Sequence, residues 1–298
     1  MPTQHHCRIP NRGSVPQHPP LTRLAKGRGR LAFGAVFLLT TPAFAGPWPT
    51  SVTYDPGTTP VAGFTDPTTA LGAPERFTGE GVFPGAVTMF NPAFGTDEIV
   101  SIGEGGHLTV SFDEPVQDDP GNLHGVDLII FGNTGFIDSN FPNGQLGNPA
   151  GVFGSGLATV EVSADGTNFF SVDGLADGLF PAQGYLDVTP FQTTPGIVES
   201  DFRKPMDPSL TLSDFDGLSY AQALALYDGS GGGTPIDIGT SGLTSISHVR
   251  ISLADDGDAE TSLHAEIDAF VNVPEPASIS LLLMAGLTVA SRRRRRQS

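Results

Sequence analysis

Hydrophobic and polar positions alternate in short runs along the middle of the chain. Each run is rich in β-branched or aromatic residues and is bounded by Gly, Asp, Asn or Pro, a pattern typical of half-buried β-strands. The predicted strands cover residues 98–102, 107–112, 126–131, 158–163, 169–172, 185–188, 248–253 and 265–273. We therefore expect an all-β protein, folded as a single jelly-roll-like β-sandwich.

Turn residues and one helical segment complete the predicted body. The Gly-rich segment 103–106 and the Asp165-Gly166 turn each predict a β-hairpin between the strands that flank them, because their residues accept the backbone angles of tight turns. Apolar residues at helical spacing between Leu218 and Tyr227 predict one short helix. Asp216 is its expected N-cap, and the helix should cover one edge or end of the sandwich.

The first 45 residues have the pattern of a leader that ends in a secretory signal. Four basic residues between positions 23 and 30 precede an apolar run over residues 31–45. This run is shorter than the ~20 residues that a membrane-spanning helix needs, and it ends in the small-x-small sequence from Ala43 to Ala45. Cleavage by signal peptidase is expected after Ala45, and the protein should be exported through the secretion machinery.

The C-terminal segment 273–298 has three parts in a fixed order. The motif Pro274, Glu275 and Pro276 comes first, and an apolar segment over residues 279–290 follows. A basic block closes the tail: Arg292, Arg293, Arg294, Arg295 and Arg296. This tail resembles the PEP-CTERM sorting signal of exported bacterial proteins, with the proline motif as the recognition sequence.

The resemblance implies an exosortase-type transpeptidase as a partner, which would cut near Pro276 and remove the tail. The Arg block would stay in the cytoplasm by the positive-inside rule, so the inner membrane would hold the protein only transiently. The body, residues 46–272, would then reach the cell surface or the extracellular polymer. The alternative is an ordinary C-terminal membrane anchor.

Removal of both ends changes the charge of the predicted protein. The ends hold eleven of the 15 Lys and Arg residues and one of the 32 acidic residues, so the body keeps four basic and 31 acidic side chains, a net charge near −27. Such a body repels phosphate backbones, which excludes nucleic acid as a partner. The single cysteine, Cys7, also lies in the leader, so the body contains neither a disulfide nor a thiolate metal site.

The acidic residues crowd two predicted turns. Asp118 and Asp119 follow one strand, and Asp255, Asp256 and Asp258 precede the last strand. Hard cations take oxygen ligands from carboxylates, amides and backbone carbonyls, so calcium is the expected ion if these residues converge. The alternative is that both turns are solvated acidic surface. Asp268 lies between apolar residues of the last strand and is expected to be buried.

The body carries a second resemblance, in the order of its strand segments. Segments 70–74, 102–112, 126–133, 160–166, 249–251 and 267–270 together resemble exported PEP-CTERM proteins whose jelly-roll bodies are similar to galactose-binding or discoidin-like domains. No spacing typical of a serine nucleophile or of a zinc-binding histidine pair occurs in the body. No catalytic residue is therefore assigned.

Two functions agree with these patterns. The first is a non-enzymatic surface or matrix protein that binds or organises extracellular polymer, with polysaccharide as the expected partner. The second is a secreted carbohydrate-binding or carbohydrate-active protein that uses carboxylates in the sandwich loops.

Overall fold

The structure is a computed structural model, and it describes residues 46–154, 158–176, 178–255 and 263–273. The predicted leader lies outside these residues, and so does the predicted sorting tail from Pro274 onwards, including Glu275 and Pro276. Asp256 and Asp258 also lie outside them. No helix within the described ranges combines the length and the apolar character needed to cross a membrane.

The described residues form short strands joined by long connections. The strands are β1 (Ser51–Asp55), β2 (Phe77–Thr78), β3 (Gly85–Ala86), β4 (Val100–Gly103), β5 (His107–Gln117), β6 (Leu128–Gly132), β7 (Gly135–Phe136), β8 (Val152–Phe153), β9 (Thr159–Ser163), β10 (Phe170–Leu175), β11 (Thr234–Ile236), β12 (Ser245–Ser252) and β13 (His264–Asn272). The helices are α1 (Tyr220–Tyr227) and the 3-10 turns Pro67–Ala70, Leu123–Gly125, Leu212–Phe215 and Ile238–Ser241.

Two sheets pack face to face and confirm the predicted β-sandwich. The first has the strand order β1-β5-β12-β9-β10, and the second has the order β11-β6-β13-β4. Neighbouring strands are antiparallel in both sheets. Apart from the β9–β10 hairpin, the strands of the two sheets alternate along the chain, which agrees with the jelly-roll-like architecture expected from the sequence.

The five-stranded sheet follows the alternation of the sequence closely. In β5 the side chains of Leu108, Val110 and Phe112 are buried while their neighbours are less so, because successive side chains of a strand point to opposite faces. Val249 of β12 lies opposite Val110 on one side and Val162 on the other. One face of this sheet therefore fills the core and the other meets solvent.

The four-stranded sheet is buried on both faces. In β6, Leu128 and Ile130 join the core between the two sheets, whereas Ile129 and Phe131 pack in a second apolar cluster on the opposite face. Phe202, from a connecting segment, meets Phe131 edge-on with ring centroids 5.2 Å apart. This double burial explains why β6 is an unbroken apolar run rather than an alternating one.

Helix α1 packs on a third cluster that contains several aromatic rings. Tyr220, Ala223 and Tyr227 of the helix are buried in it. Phe136 and Phe215 meet there with ring centroids 4.9 Å apart. The helix therefore covers the long connections that follow β7 and β10 as well as the short β7–β8 pair.

Three local predictions were wrong. Segment 103–106 does not form a hairpin, because β4 and β5 belong to different sheets and the turn crosses between them. Segment 185–188 is not a strand, and only Tyr185 makes an isolated bridge, to Glu199. The N-cap of α1 is Ser219, whose backbone N–H and hydroxyl both bond the Gln222 side chain.

Asp216, the residue predicted to cap α1, makes a different contact. Asp216 accepts a hydrogen bond from the backbone N–H of Ala150 at 2.7 Å, which ties the segment before α1 to the connection before β8. The second predicted hairpin is confirmed, since β9 and β10 pair around the Asp165 turn. Asp165 accepts bonds from the backbone N–H groups of Thr167 and Asn168, both at 2.8 Å.

Candidate functional site

A groove of about 440 Å³ runs beside the C-terminal end of α1. Its walls come from three parts of the chain: the 3-10 turn at Leu123–Gly125, the segment before α1, and the last turn of the helix. The lining residues are Leu123, His124, Lys204, Pro205, Asp207, Leu210, Ala225, Leu226, Tyr227 and Asp228. The groove thus combines apolar side chains with two carboxylates, one ammonium group and one imidazole.

Lys204 and Asp228 form an ion pair on the groove wall. Lys204 Nζ donates to a carboxylate oxygen of Asp228 at 2.7 Å and also to the backbone carbonyl of the same residue. Asp228 ends α1 in the left-handed region, with φ of 47°, so the ammonium group also satisfies a carbonyl left open at the helix end. The bond from Lys204 lowers the pKa of Asp228.

Asp207 supplies the second carboxylate of the groove. It accepts bonds from the side-chain hydroxyl and the backbone N–H of Ser209, at 2.7 and 2.9 Å. These bonds, with a smaller effect from the charge of His124, lower the pKa of Asp207. Both groove carboxylates are therefore ionised at neutral pH, so they act as hydrogen-bond acceptors and neither is a proton donor.

Two of the three residues of an acidic cluster stand at the ends of the loop that carries Leu123 and His124 into the groove. Ligand atoms of Asp118, Asp127 and Asp237 all lie within 4.8 Å of one another. Asp118 follows β5 of the first sheet, Asp127 precedes β6 of the second sheet, and Asp237 follows β11. The cluster thus joins both sheets at one end of the sandwich, and the loop from 118 to 127 also carries Leu123 and His124 into the groove.

Asp127 is the buried member of the cluster and is fully inaccessible to solvent. Its Oδ1 accepts from the backbone N–H of Asp119 at 3.0 Å and from Asn122 Nδ2 at 2.9 Å. Its Oδ2 accepts from the backbone N–H of Ile238 at 3.2 Å. Burial raises the pKa of Asp127, and the nearby charge of Asp118 adds to this effect against the three hydrogen bonds.

The structure separates the acidic residues that the sequence grouped. Asp119 Oδ1 accepts from the N–H of Gly121 at 2.8 Å and so closes its own turn. Asp255 lies beside Gly105, at the opposite end of β5 from Asp118. Since β5 has eleven residues, at about 3.3 Å per residue the two ends are roughly 35 Å apart. Asp118 and Asp255 therefore cannot share one ion.

Sequence reasoning missed Asp127 and Asp237. Both lie directly beside apolar strand residues, in Val126-Asp127-Leu128 and Ile236-Asp237-Ile238. An acidic residue at the end of an apolar strand was the available signal. A related signal, an acidic residue between apolar residues inside a strand, gave the burial of Asp268 correctly, because that residue is 1% exposed.

Asp268 belongs to a second, buried group of acids at the core. Its Oδ2 accepts from the backbone N–H of Glu75 at 3.1 Å. Burial raises the pKa of Asp268 well above its usual range. Burial, with the charge of Glu98 as the next cause, raises the pKa of Glu75 to about 7.

Comparison with known proteins gives little further information. No protein-family model matches the chain, and no curated protein matches it. Among solved structures, CBM32-1 from a family 31 glycoside hydrolase of Clostridium perfringens is 10% identical, with 76% of this chain and 97% of that chain covered and a TM-score of 0.28. CBM32-3 from a family 31 glycoside hydrolase of the same organism is 8% identical, with coverages of 58% and 74% and a TM-score of 0.22. Similarity at this level indicates no ligand.

Proposed function

We propose that this chain is an exported, surface- or matrix-associated protein that binds neutral extracellular polysaccharide through the groove beside α1. The observation that carries the proposal is the mixed lining of that groove. Leu123, Leu210 and Leu226 offer apolar surface to the C–H faces of a sugar, and Lys204 and Asp207 offer a donor and an acceptor to its hydroxyl groups.

The negative charge of the body favours a neutral polymer over an anionic one. The body carries 31 acidic and four basic side chains, so an anionic polymer would be repelled along most of the surface. A neutral polysaccharide meets no such barrier. Since both groove carboxylates are ionised, the groove contains no carboxylic acid to protonate a glycosidic oxygen. This supports binding rather than hydrolysis.

Replacement of Lys204 tests the groove directly. We expect Lys204→Met to weaken binding to the best neutral polysaccharide of a glycan array by about tenfold, because a charge-assisted hydrogen bond contributes about 1.5–3 kcal/mol. The matched control is Arg203→Met, which removes the same charge from the neighbouring exposed position outside the groove. Affinity electrophoresis of both variants measures the difference.

Lys204 also bonds Asp228 at the end of α1, so Lys204→Met could weaken binding by destabilising the helix. A second variant distinguishes this effect from the loss of a direct contact with the polysaccharide. Asp207→Asn leaves α1 intact and should weaken binding by a similar factor, whereas the exposed Asp97→Asn should not. If all four variants bound the polysaccharide as tightly as the unaltered protein, the proposal that the groove is the binding site would be wrong. Release of sugar from a labelled polysaccharide panel would instead support a carbohydrate-active enzyme.

Export and sorting form the other half of the proposal, and they rest on the two ends of the sequence. We expect the protein isolated from its native cells to begin after Ala45 and to end near Pro276. Mass spectrometry of both termini measures this. A double variant, Pro274→Ala with Pro276→Ala, should keep the tail because the recognition motif is lost. A mature protein that still carries Arg292 to Arg296 would contradict sorting and favour a permanent anchor.

A further inference from the structure

The three carboxylates of the acidic cluster converge without a basic partner. Asp118, Asp127 and Asp237 have ligand atoms within 4.8 Å of one another. Among the described residues no Lys, Arg or His forms an ion pair with any of them, since the ion pairs found there are Arg76–Glu199, Lys204–Asp228, Arg250–Glu161 and His264–Glu266. Three like charges at such distances repel one another strongly when one of them is buried.

A buried amide oxygen beside the cluster also lacks a partner. Asn122 is 6% exposed, and its Oδ1 makes no hydrogen bond among the described residues. Its Nδ2 bonds Asp127 Oδ1 at 2.9 Å. Because the two polar atoms of an amide are only about 2.3 Å apart, Asn122 Oδ1 lies within about 5 Å of that carboxylate. A buried polar atom without a partner is unfavourable, and a bound cation would satisfy it together with the carboxylates.

Gly239 leaves room at the point of convergence. A Cβ built at this residue would lie 2.8 Å from Asp118 Oδ1 and 3.0 Å from Asp237 Oδ1. Two carboxylate oxygens therefore face the same side of a glycine backbone. The N–H of Gly239 also donates to Asp237 Oδ1 at 2.8 Å, which fixes the orientation of that carboxylate.

We propose that Asp118, Asp127, Asp237 and Asn122 bind one calcium ion at this end of the sandwich. Four side-chain oxygens from two connections, β5–β6 and β11–β12, form part of the six to eight that calcium takes, and backbone carbonyls or water supply the rest. The ion links the end of β5 in one sheet with the start of β6 in the other. It also fastens the 118–127 loop, which forms one wall of the groove.

Calcium binding to the full-length chain tests the proposal independently of any polysaccharide. Isothermal titration at physiological salt should show one tight site in the unaltered protein. Asp118→Asn and Asp237→Asn should each weaken this site by at least about tenfold, because each removes a charged ligand. Asp97→Asn is the matched control, since it makes the same change at an exposed position outside the cluster, and it should leave the affinity within about twofold.

Gly239→Ala is a variant that changes no charge. Its methyl group would crowd the two carboxylate oxygens, and we expect it to weaken calcium binding by about tenfold while circular dichroism remains that of the folded protein. Equal weakening by Asp97→Asn, or no weakening by any of the cluster variants, would overturn the site and leave only diffuse attraction to an acidic surface. Tighter binding of Mg²⁺ than of Ca²⁺ would overturn the assignment to calcium.

Discussion

Replacement of Asp268 by Asn is expected to make the protein more stable at neutral pH and to flatten the dependence of its stability on pH. Asp268 lies where the pairing of β13 with β6 shifts register, between Ile267 and Ala269, and it is 1% exposed. The apolar surroundings disfavour its charged form, so its pKa is raised well above the usual range. Asn keeps an oxygen that can accept from the N–H of Glu75 but carries no charge.

The sign of the effect follows from proton linkage. A carboxyl group with a raised pKa in the folded state binds its proton more tightly there than in the unfolded chain. Its contribution to stability is therefore fully present below the unfolded pKa, near 4, and is lost as the pH rises towards the folded pKa. Glu75, whose folded pKa is about 7, acts in the same direction between pH 4 and pH 7.

Urea denaturation of the full-length chain at several pH values measures this prediction. The free energy of unfolding should fall as the pH rises from about 4.5 to 7.5, by up to about 1.4 kcal/mol per pH unit for each proton concerned. Asp268→Asn should remove a large part of this slope, and Glu75→Gln a smaller part because Glu75 is partly exposed. The exposed Asp173→Asn should give a curve parallel to that of the unaltered protein, since Asp173 is not among the charges that raise the pKa of Glu75 or of Asp268. If the curve of Asp268→Asn were also parallel to that of the unaltered protein, Asp268 would carry its charge in the folded state at no cost in stability.

The strands that line the core were predictable because their side-chain pattern is local. In β5 and β12 one face is buried and the other is exposed, so the alternation is visible in the sequence. β6 lacks alternation because it is buried on both faces, yet its apolar run still indicated a strand. β1 and β11 were missed, since both are short and lie at sheet edges, where little apolar surface is needed.

The sequence did not predict in the same way which of the two sheets each strand joins. Segment 103–106 has the composition of a hairpin turn, but Ile102 and Leu108 both point into the space between the sheets, and the chain changes sheet there. A turn sequence fixes a reversal of the backbone, not which sheet receives the next strand. Tyr185 and Val188 are buried in a small separate cluster with Ala86. Their apolar pattern therefore reflects burial in this cluster and not a strand of either sheet.

Only part of the candidate cation site could be predicted, because a sequence shows local crowding of acidic residues but not which distant segments meet. The crowding of acids located Asp118, since that signal is local. Asp237 is 119 residues away in sequence from Asp118, and only the meeting of β6 with β11 brings it to Asp127. Asp255 looked equivalent to Asp118 by charge and turn position, but it belongs to the other end of β5.

Removal of the Glu98 side chain is expected to have the largest effect on stability of any single change considered. Glu98 is 6% exposed, and its carboxylate accepts four hydrogen bonds. The donors are the Thr78 hydroxyl, the N–H of Gly79 at 3.0 Å, the N–H of Phe94 at 3.0 Å and the N–H of Gly95 at 2.7 Å. The carboxylate thus joins the end of β2 to the segment that leads into β4.

Glu98→Ala would leave these donors without their shared acceptor in a site with little access to water. Each unsatisfied buried group costs about 1–3 kcal/mol, although the total is smaller than the sum because the segments can move towards water. Loss of the negative charge relieves repulsion with Glu75 and offsets part of the cost. We expect a net loss of about 3–5 kcal/mol, a large fraction of the ~5–15 kcal/mol that stabilises a folded domain.

Urea denaturation at pH 7 measures the loss, and two variants control for it. Glu80→Ala removes the same kind of side chain from an exposed position a few residues from β2, and its effect should remain within about 0.5 kcal/mol. Glu98→Gln keeps one acceptor oxygen but turns an NH₂ group towards other donors, so its effect should lie between those of the two alanine variants. An effect of Glu98→Ala no larger than that of Glu80→Ala would mean that the four donors find other acceptors. In that case the contact between β2 and the start of β4 would rest on apolar packing alone.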